Sequence, residues 1–396
     1  MIDTDACDLD ELRGAIRQFL SESPRPEGLR NYGPTPTPAD VQPGRQWHRY
    51  LAAHGYAGLH WPTTYGGSDA PVPVQAIFAE ECARADVPRQ LAMTAIDLVG
   101  PVLINYGTDA QKRRYLEPIR LGNDIWTQLF SEPGAGSDLA AVRTKAERTS
   151  HGWRVTGQKV WSSGAKSAQY GILLARTSPD GHRGLSMFIV PMDAVGITVR
   201  PITQIDGESK FNEVFLDEVA LQPDALIGGV GQGWTIAMLT LSRERLTLGC
   251  QAVAMFKRHQ RIVEAARGRG RLDPVLARTM TKIWARMWLL RFTWQRAVAG
   301  EDTASPAFSV LKIMTSETDR DLCDLATDAL GTDACTEPGS EDCAELVHAM
   351  LVGRAQTILG GTSEIQRNIL SERLLRMPKE PRWGHQIPPS HPGGPE

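Results

Sequence analysis

The sequence predicts a multi-domain α+β protein in which a helical N-terminal domain, an antiparallel β middle domain and a helical C-terminal domain follow one another. With 396 residues, the chain is long enough for two or three domains. Apolar residues recur at helical spacing in the first and last parts of the chain. Short apolar runs separated by Gly, Pro and Asp fill the part between them. Helices and strands in separate blocks exclude a fold of alternating βαβ units.

Residues 1–122 are predicted to form the N-terminal α-helical domain. Leucine, isoleucine and phenylalanine first recur at helical spacing in Asp8–Ser21. The proline-rich segment Pro24–Pro43 that follows is predicted to be irregular. Further helices are expected near 44–54 and over 72–85, 89–106 and 109–121.

Residues 123–228 are predicted to form the middle β domain. Strands are expected over 151–161, 170–176, 185–191, 197–202 and 213–216, because these runs are rich in β-branched and aromatic residues. Turn sequences such as Ser178-Pro-Asp-Gly181 separate them. This pattern is typical of an antiparallel sandwich or barrel.

Residues 229–380 are predicted to form the C-terminal helical domain. Helical spacing resumes over 234–300, with Gly268, Gly270 and Pro274 as the main interruptions. Helices are also expected over 306–330, 346–358 and 365–376. Residues 381–396 are rich in proline and glycine and are predicted to be a disordered tail.

Composition excludes several function classes. A net charge of −3 gives no electrostatic reason to expect nucleic-acid binding. No apolar run is long enough to span a membrane and no signal core follows the N-terminus, so a cytoplasmic location is expected. The six cysteines form no Cys-x-x-Cys pair, and the nine histidines show no metal-ligand spacing, so no metal site is expected.

A first candidate segment, Trp126–Asp138, reads Trp-Thr-Gln-Leu-Phe-Ser-Glu-Pro-Gly-Ala-Gly-Ser-Asp. Gly134 and Gly136 allow the backbone to approach a ligand closely. The hydroxyls of Ser131 and Ser137, together with backbone N–H groups, suit a phosphate or a flat heterocycle. The alternative is an ordinary loop that joins two domains.

Two further segments are candidates for ligand contact. Gly157–Ser163 reads Gly-Gln-Lys-Val-Trp-Ser-Ser, and its alternative interpretation is a strand with a tryptophan in the core. Gly360–Arg367 reads Gly-Gly-Thr-Ser-Glu-Ile-Gln-Arg. Ser363 with Gln366 in this segment predicts a capping box at the start of the last helix, which needs no ligand to explain it.

Glu244 is the candidate general base, within Leu241-Ser-Arg-Glu-Arg-Leu246. At about 100° per residue, Glu244 shares a helix sector with Ala237, Leu241 and Leu248. Desolvation there would raise the pKa of the carboxyl from about 4.3, as a base working near neutrality requires. The alternative is a buried structural ion pair between Glu244 and Arg245.

A nicotinamide site is not indicated. Gly229-x-Gly231-x-Gly233 does not fit the Gly-x-Gly-x-x-Gly pattern and does not lie within a strand–turn–helix unit. A connection between domains is the simpler interpretation of this segment.

Taken together and in order, these segments resemble the acyl-CoA dehydrogenase family over about residues 8–378. The resemblance implies a helical, β-barrel, helical subunit with a C-terminal four-helix bundle and bound FAD. It assigns the cofactor to Gln128, Phe130, Ser131, Ser137, Trp161, Ser162, Ser163, Gly361, Thr362 and Glu364. It assigns the acyl-CoA substrate to Ser137 and Arg245, with Glu244 as the base.

One position departs from the best-known family pattern. Many members carry the catalytic glutamate immediately before the Gly-Thr of the third segment, where this chain has Gly360. A second arrangement, seen in isovaleryl- and long-chain-type members, places a glutamate before an arginine on the first C-terminal helix, as Glu244-Arg245 does here. In the family this second arrangement goes with branched, long or bulky acyl chains.

The resemblance therefore implies dehydrogenation of an acyl-CoA to a trans-2-enoyl-CoA, with electrons passed to an electron-transfer flavoprotein. A homo-oligomer (dimer or tetramer) or a hetero-oligomer with a related subunit is expected. Two alternatives stay open. One is an oxygen-using acyl-CoA oxidase-like enzyme, and the other is a non-catalytic partner subunit of a heteromeric dehydrogenase.

Overall fold

The computed structural model describes residues 9–91, 93–244, 251–300, 308–335 and 341–379. The predicted disordered tail, 381–396, and the substrate-binding candidate Arg245 lie outside the described residues. The order of helices, strands and helices along the chain confirms the predicted fold class. None of the described helices combines the length and apolar character needed to cross a membrane.

The N-terminal part is helical. Its elements are α1 Leu9–Glu22, α2 Val41–Ala53, α3 Val72–Ala85, a π-helical segment Thr94–Val99, α4 Gly100–Tyr106 and α5 Asp109–Arg120. The helix predicted over 89–106 is therefore shorter in the structure. Its hydrogen-bond pattern changes midway from π-helical to α-helical. Gly100 donates its N–H to Ala95, five residues back, and Pro101 has no N–H to donate to Asp97.

His48 joins three pieces of this helical part. It lies on α2, and its Nδ1 accepts the backbone N–H of Leu91 at 3.0 Å. Its Nε2 therefore carries the proton and donates to the carbonyl of Arg120, at the end of α5, at 2.9 Å. Burial lowers the pKa of His48 to about 4, and the hydrogen bond to Arg120 only partly opposes that effect.

The middle part is a single eight-stranded sheet. Its strands are β1 Trp126–Leu129, β2 Lys145–Thr149, β3 Gly152–Ser163, β4 Tyr170–Arg176, β5 Leu185–Pro191, β6 Ile197–Ile202, β7 Phe211–Leu221 and β8 Leu226–Ile227. The order is β6-β7-β3-β2-β4-β5-β8, with β1 also beside β4. Most neighbours are antiparallel, as predicted, but β1 and β2 each run parallel to β4. Hydrophobic pattern and turn residues did not predict these two parallel pairings.

The C-terminal part is again helical. Its elements are α6 Gly233–Glu244, α7 Gln251–Gly268, α8 Pro274–Val298, α9 Phe308–Leu330, α10 Glu341–Gly353, α11 Ser363–Ile369 and a π-helical segment Leu370–Leu374. Helices α7 to α10 share one core, in which Met287, Leu290, Leu311 and Leu322 are fully buried. The start of α8 is fixed by Asp273, whose carboxylate accepts the N–H groups of the next turn at 2.8 Å.

Helix α6 is held between the sheet and the N-terminal helices. One apolar core takes in Val102 of α4, Trp126 of β1, Ile189 of β5, and Ile236 and Ala237 of α6. The first residue of α6, Gly233, lies so close to β5 that a Cβ there would stand 2.6 Å from the backbone nitrogen of Ser186. Only glycine allows this approach, which fixes the position of α6 against the sheet.

Candidate active site

The first candidate segment consists of β1 and the loop after it. Gln128 is half-buried in β1, opposite Ile172 of β4. Ser131 is half-buried and Ser137 is exposed. Between them, Glu132 and Ala135 exchange backbone hydrogen bonds of 3.1 and 3.0 Å, which close a tight turn.

One side of this loop is open to a ligand. A Cβ built on Gly134 or on Gly136 would meet no atom within 4 Å. The backbone at these two residues is therefore accessible, and neither glycine is required by crowding within the chain.

The second candidate segment ends β3, and a bulge there turns a tryptophan outward. The pairing of β3 with β7 shifts register between Lys159 and Ser162. Trp161 in the bulge has a φ of 61°, in the left-handed region that bulky residues rarely adopt. Its side chain is 56% exposed and meets the ring of Phe211 edge-on at 6.1 Å. The alternative interpretation of a core tryptophan is therefore wrong.

The first two segments are bound directly to each other. Val160 donates its N–H to the carbonyl of Ser131 at 2.9 Å. Thr127 donates its hydroxyl to the carbonyl of Ser163, also at 2.9 Å. The half-buried residues Ser131 and Ser163 thus lie along one seam of the sheet.

A buried ion pair lies beneath this seam. Lys159 is fully buried, and its Nζ donates to Oε1 of Glu132 at 2.8 Å and to the carbonyl of Phe130 at 3.0 Å. Glu132 also accepts the N–H groups of Arg143 and Thr144 at 2.7 and 2.8 Å. Sequence reasoning missed this pair, although both residues lie within the candidate segments. The available signal was a basic residue in one candidate segment and an acidic residue in the other.

Burial and pairing shift the pKa of both side chains. Burial lowers the pKa of Lys159 to about 8, against the opposing attraction of Glu132. Burial alone would raise the pKa of Glu132, but the charge of Lys159 and the hydrogen bonds outweigh it and hold that pKa below its usual value. Both groups are therefore charged at neutral pH.

Two predicted cofactor residues have side chains that point into the interior. Phe130 belongs to the apolar core, and its contribution to the seam is its carbonyl. Ser162 is fully buried, and its Oγ has no hydrogen-bond partner among the described residues. Asn212 of β7 donates its amide to the Ser162 carbonyl at 3.0 Å. A cofactor on the exposed side would meet these two residues through their main chain.

The third candidate segment begins α11, and its cap differs from the predicted one. Thr362, not Ser363, is the N-cap, and its Oγ1 accepts the N–H of Ile365 at 3.2 Å. Ser363 is buried inside the helix, and Gln366 donates to the carbonyl of Gly360 at 3.1 Å. The predicted capping box of Ser363 with Gln366 is therefore wrong by one residue, because the left-handed turn at Gly360 and Gly361 ends one position earlier.

This third segment lines a separate cavity. A cavity of about 380 Å³ lies between α9 and the Gly-Gly turn, and its walls include Arg320, Thr362, Glu364 and Arg367. Hydrogen bonds from its own backbone N–H and from Thr362 lower the pKa of the exposed Glu364. Among the described residues, no hydrogen bond or ion pair joins Gly360–Arg367 to the seam of the first two segments.

Glu244 is the last described residue of α6, and its side chain lies outside the description. The backbone of α6 is helical up to this position. The helix face that contacts the core carries Gly233, Ile236, Ala237 and Thr240, all buried. Position 244 is one helical turn beyond Thr240 on this face.

Comparisons with known proteins agree with this architecture. The family models for the N-terminal, middle and C-terminal domains of acyl-CoA dehydrogenases match residues 8–123, 127–219 and 231–375. The acyl-CoA dehydrogenase IpdE1 of Mycobacterium tuberculosis is 38% identical over 382 residues, which cover 94% of this chain and 99% of that protein.

Two solved structures are similar throughout. The Tcur3481-Tcur3483 steroid ACAD has a TM-score of 0.82 at 27% identity, with 94% of this chain and 98% of that chain covered. The ChsE4-ChsE5 complex from Mycobacterium tuberculosis also has a TM-score of 0.82, at 28% identity, with 96% and 100% covered. All three family models and a relative of nearly equal length match in the same order as the helical, β and helical parts. The chain therefore belongs to the acyl-CoA dehydrogenase family.

Proposed function

We propose that this chain catalyses the FAD-dependent α,β-dehydrogenation of an acyl-CoA thioester to a trans-2-enoyl-CoA. The observation that supports this most is the seam between β1 and β3. It brings Gln128, Ser131, Trp161 and Ser163 together where β1 and its loop meet the end of β3, and it turns the Trp161 ring outward.

The residues of this seam fit a flat, polar heterocycle such as the flavin ring. An exposed indole offers an apolar face against which an aromatic system can stack. The half-buried Ser131 and Ser163 add polar groups beside it, and the open backbone at Gly134 and Gly136 leaves room for a bulky ligand. In the proposal, Ser137 contacts the cofactor phosphates or the CoA portion of the substrate.

The proposed chemistry starts at the acidic Cα–H of the thioester. Glu244 takes this proton, and a hydrogen bond to the thioester oxygen stabilises the charge that develops there. FAD, when bound, would supply the acceptor for the hydride lost from Cβ. The position of residue 244, one helical turn beyond Thr240 on the α6 face that contacts the core, supports this assignment.

The substrate we propose is a bulky acyl-CoA, such as a thioester with a steroid-derived acyl group. This chain has Gly360 where many family members carry the catalytic carboxylate. In the proposal, Glu244 therefore approaches the substrate from another side. The steroid ACAD that this chain resembles supports the same class of substrate.

We propose that the chain acts as an oligomer. Helix α8 exposes a stripe of large apolar side chains, with Trp284 47%, Leu289 57% and Phe292 56% exposed. A stripe of this kind suits a contact with a second subunit. An electron-transfer flavoprotein would be the electron acceptor. The domain limits at 122/123 and 228/229 are likewise part of the proposal.

A second candidate function is that of a non-catalytic partner subunit. It is favoured by Gly360, which carries no acid, and by the similarity to two structures named as pairs of chains. In that case FAD or substrate would bind across a contact with a different subunit, and the single chain would show no turnover.

Anaerobic reduction of the flavin tests these possibilities. The purified chain should carry visible flavin absorbance that bleaches on addition of a matching acyl-CoA from a panel of short, branched, long and steroid-derived thioesters. Bleaching without any second chain would exclude the partner-subunit function. Peroxide formation in air without an acceptor protein would instead favour the oxidase-like alternative. Failure of every thioester, with or without a related subunit, would overturn the proposal.

A further inference from the structure

Three metal-ligating side chains converge between the middle and C-terminal parts of the chain. Asp206 and Glu208 lie in the loop between β6 and β7, and His348 lies on α10. One ligand atom of each side chain lies within 4.8 Å of the other two. Asp206 Oδ2 and His348 Nε2 are 3.4 Å apart.

Two of the converging atoms are buried and lack hydrogen bonds. Oδ2 of Asp206 and Nε2 of His348 have no hydrogen-bond partner among the described residues, whereas Oε2 of Glu208 is ion-paired with Lys210. The Asp206 side chain as a whole is only 2% exposed, although the His348 ring is 44% exposed. Buried polar atoms normally have partners, because an unpaired one costs about 1–3 kcal/mol. Two such atoms that face each other, with the Glu208 carboxylate beside them, point to a shared ligand.

The loop holds the Asp206 carboxylate in place through the oxygen that does not face His348. The other oxygen of Asp206 accepts the N–H of Glu208 at 3.0 Å. Gln204 closes the turn through two backbone bonds, from Gly207 at 2.9 Å and to Glu208 at 2.8 Å. The geometry is therefore set before any ligand binds.

Charge at the cluster favours a cation. Lys210 is 2.5 Å from Oε2 of Glu208, so it balances one of the two carboxylates. Arg30 is hydrogen-bonded to Asp40 at 2.7 and 3.0 Å. This contact and the charge of Glu208 both raise the pKa of Arg30. Among the ion pairs of the described residues, Asp206 has no lysine or arginine partner.

We propose that Asp206, Glu208 and His348 form a divalent-cation site with a preference for Zn²⁺. Imidazole nitrogen and carboxylate oxygen are zinc ligands at about 2.0–2.2 Å, which places tetrahedral ligands about 3.3 Å apart. The measured 3.4 Å between Asp206 and His348 fits this spacing. A water molecule would complete the four ligands. Bound metal would tie the β6–β7 loop to α10 and so join the middle and C-terminal parts.

The test uses the full-length protein with its bound cofactor. A chelator first removes any bound metal, and the protein is then dialysed against Zn²⁺. The wild-type chain should bind one equivalent. His348→Gln and Asp206→Asn should each weaken this binding at least tenfold. His151→Gln, in the exposed turn between β2 and β3, is the matched control and should bind as the wild type does.

A second measurement separates metal binding from an ion pair of protonated His348 with the carboxylates. Zn²⁺ should raise the melting temperature of the stripped wild type and of His151→Gln but not of His348→Gln. Absence of a bound equivalent in the wild type would overturn the proposal. So would unchanged binding in His348→Gln, or an equal loss in the His151→Gln control. None of these outcomes depends on the dehydrogenase activity.

Discussion

Lys159 Nζ and Glu132 Oε1 lie 2.8 Å apart, and the two side chains are 0% and 8% exposed. Lys159 comes from the end of β3 and Glu132 from the loop after β1. This pair therefore links the two segments that form the seam proposed to bind the flavin. Its third partner, the Phe130 carbonyl, fixes the start of the same loop. The pair is a positioning element below the seam.

Removal of one partner of this pair should be strongly destabilising. Lys159→Met would leave the Glu132 carboxylate buried without its cation, at a cost of about 3–5 kcal/mol. Chemical denaturation followed by circular dichroism measures this loss. The double variant Lys159→Met/Glu132→Gln should recover part of the stability, because it removes the buried charge as well. A Lys159→Met protein as stable as the wild type would show that the pair is not needed.

The Glu244→Gln variant should keep its flavin and lose its reductive half-reaction. Glutamine is close in shape to glutamate but accepts no proton, so the anaerobic bleaching rate should fall by about 10²- to 10⁴-fold. Glu264→Gln, on the exposed face of α7, is the matched control and should bleach normally. Normal bleaching in Glu244→Gln would mean that the base is another residue.

Trp161→Ala should weaken flavin binding without unfolding the sheet. The indole is 56% exposed, so the fold loses little packing, whereas a stacked flavin would lose an aromatic contact worth about 1 kcal/mol. We expect roughly fivefold faster loss of flavin on dilution. Trp161→Phe should restore most of the retention. Equal retention in all three proteins would remove Trp161 from the cofactor site.

A charge in the exposed stripe of α8 should disrupt the oligomer. Phe292→Asp places a carboxylate at a position that is apolar and 56% exposed, where a subunit contact would have to desolvate it. Size-exclusion chromatography with light scattering should then show a smaller particle. Val195→Asp is the control, since Val195 is 94% exposed but lies in the turn between β5 and β6. A particle of unchanged mass in Phe292→Asp would exclude this face as the contact.

Stability should fall between pH 6.5 and 4 because of His48. The folded pKa is lowered from 6.5 to about 4, so in this range the unfolded chain binds more protons than the folded one. The contribution of neutral His48 is fully present above pH 6.5 and is lost as pH falls towards 4, by up to about 3 kcal/mol. In denaturation curves across this range, His48→Gln should show a shallower loss. An identical slope in the two proteins would contradict the assignment.

Local pattern was sufficient for much of the fold. The bounds of α3, β4, β5 and β6 agree with those expected from the sequence. In these elements apolar periodicity and turn residues point to the same structure. Strand β2, Lys145–Thr149, was missed because it is short, charged and largely exposed, and its pairing with β3 is what makes it a strand.

Tertiary contacts decided what the sequence did not show at the site. The outward turn of Trp161 depends on a register shift against β7, and the burial of Lys159 depends on a carboxylate in another segment. The Asp206 and His348 side chains are far apart along the chain, so no ligand spacing could reveal their meeting. Such features arise only when distant segments pack together.

The crowded start of α6 sets a fixed distance along that helix. Gly233 is pressed against β5, and at 1.5 Å per residue position 244 follows about 16 Å further along the axis. An added or deleted residue between them would rotate position 244 by about 100° and leave the sheet untouched. Helix length is therefore as strict a requirement as residue identity, and natural variation between these two points should consist of substitutions rather than insertions.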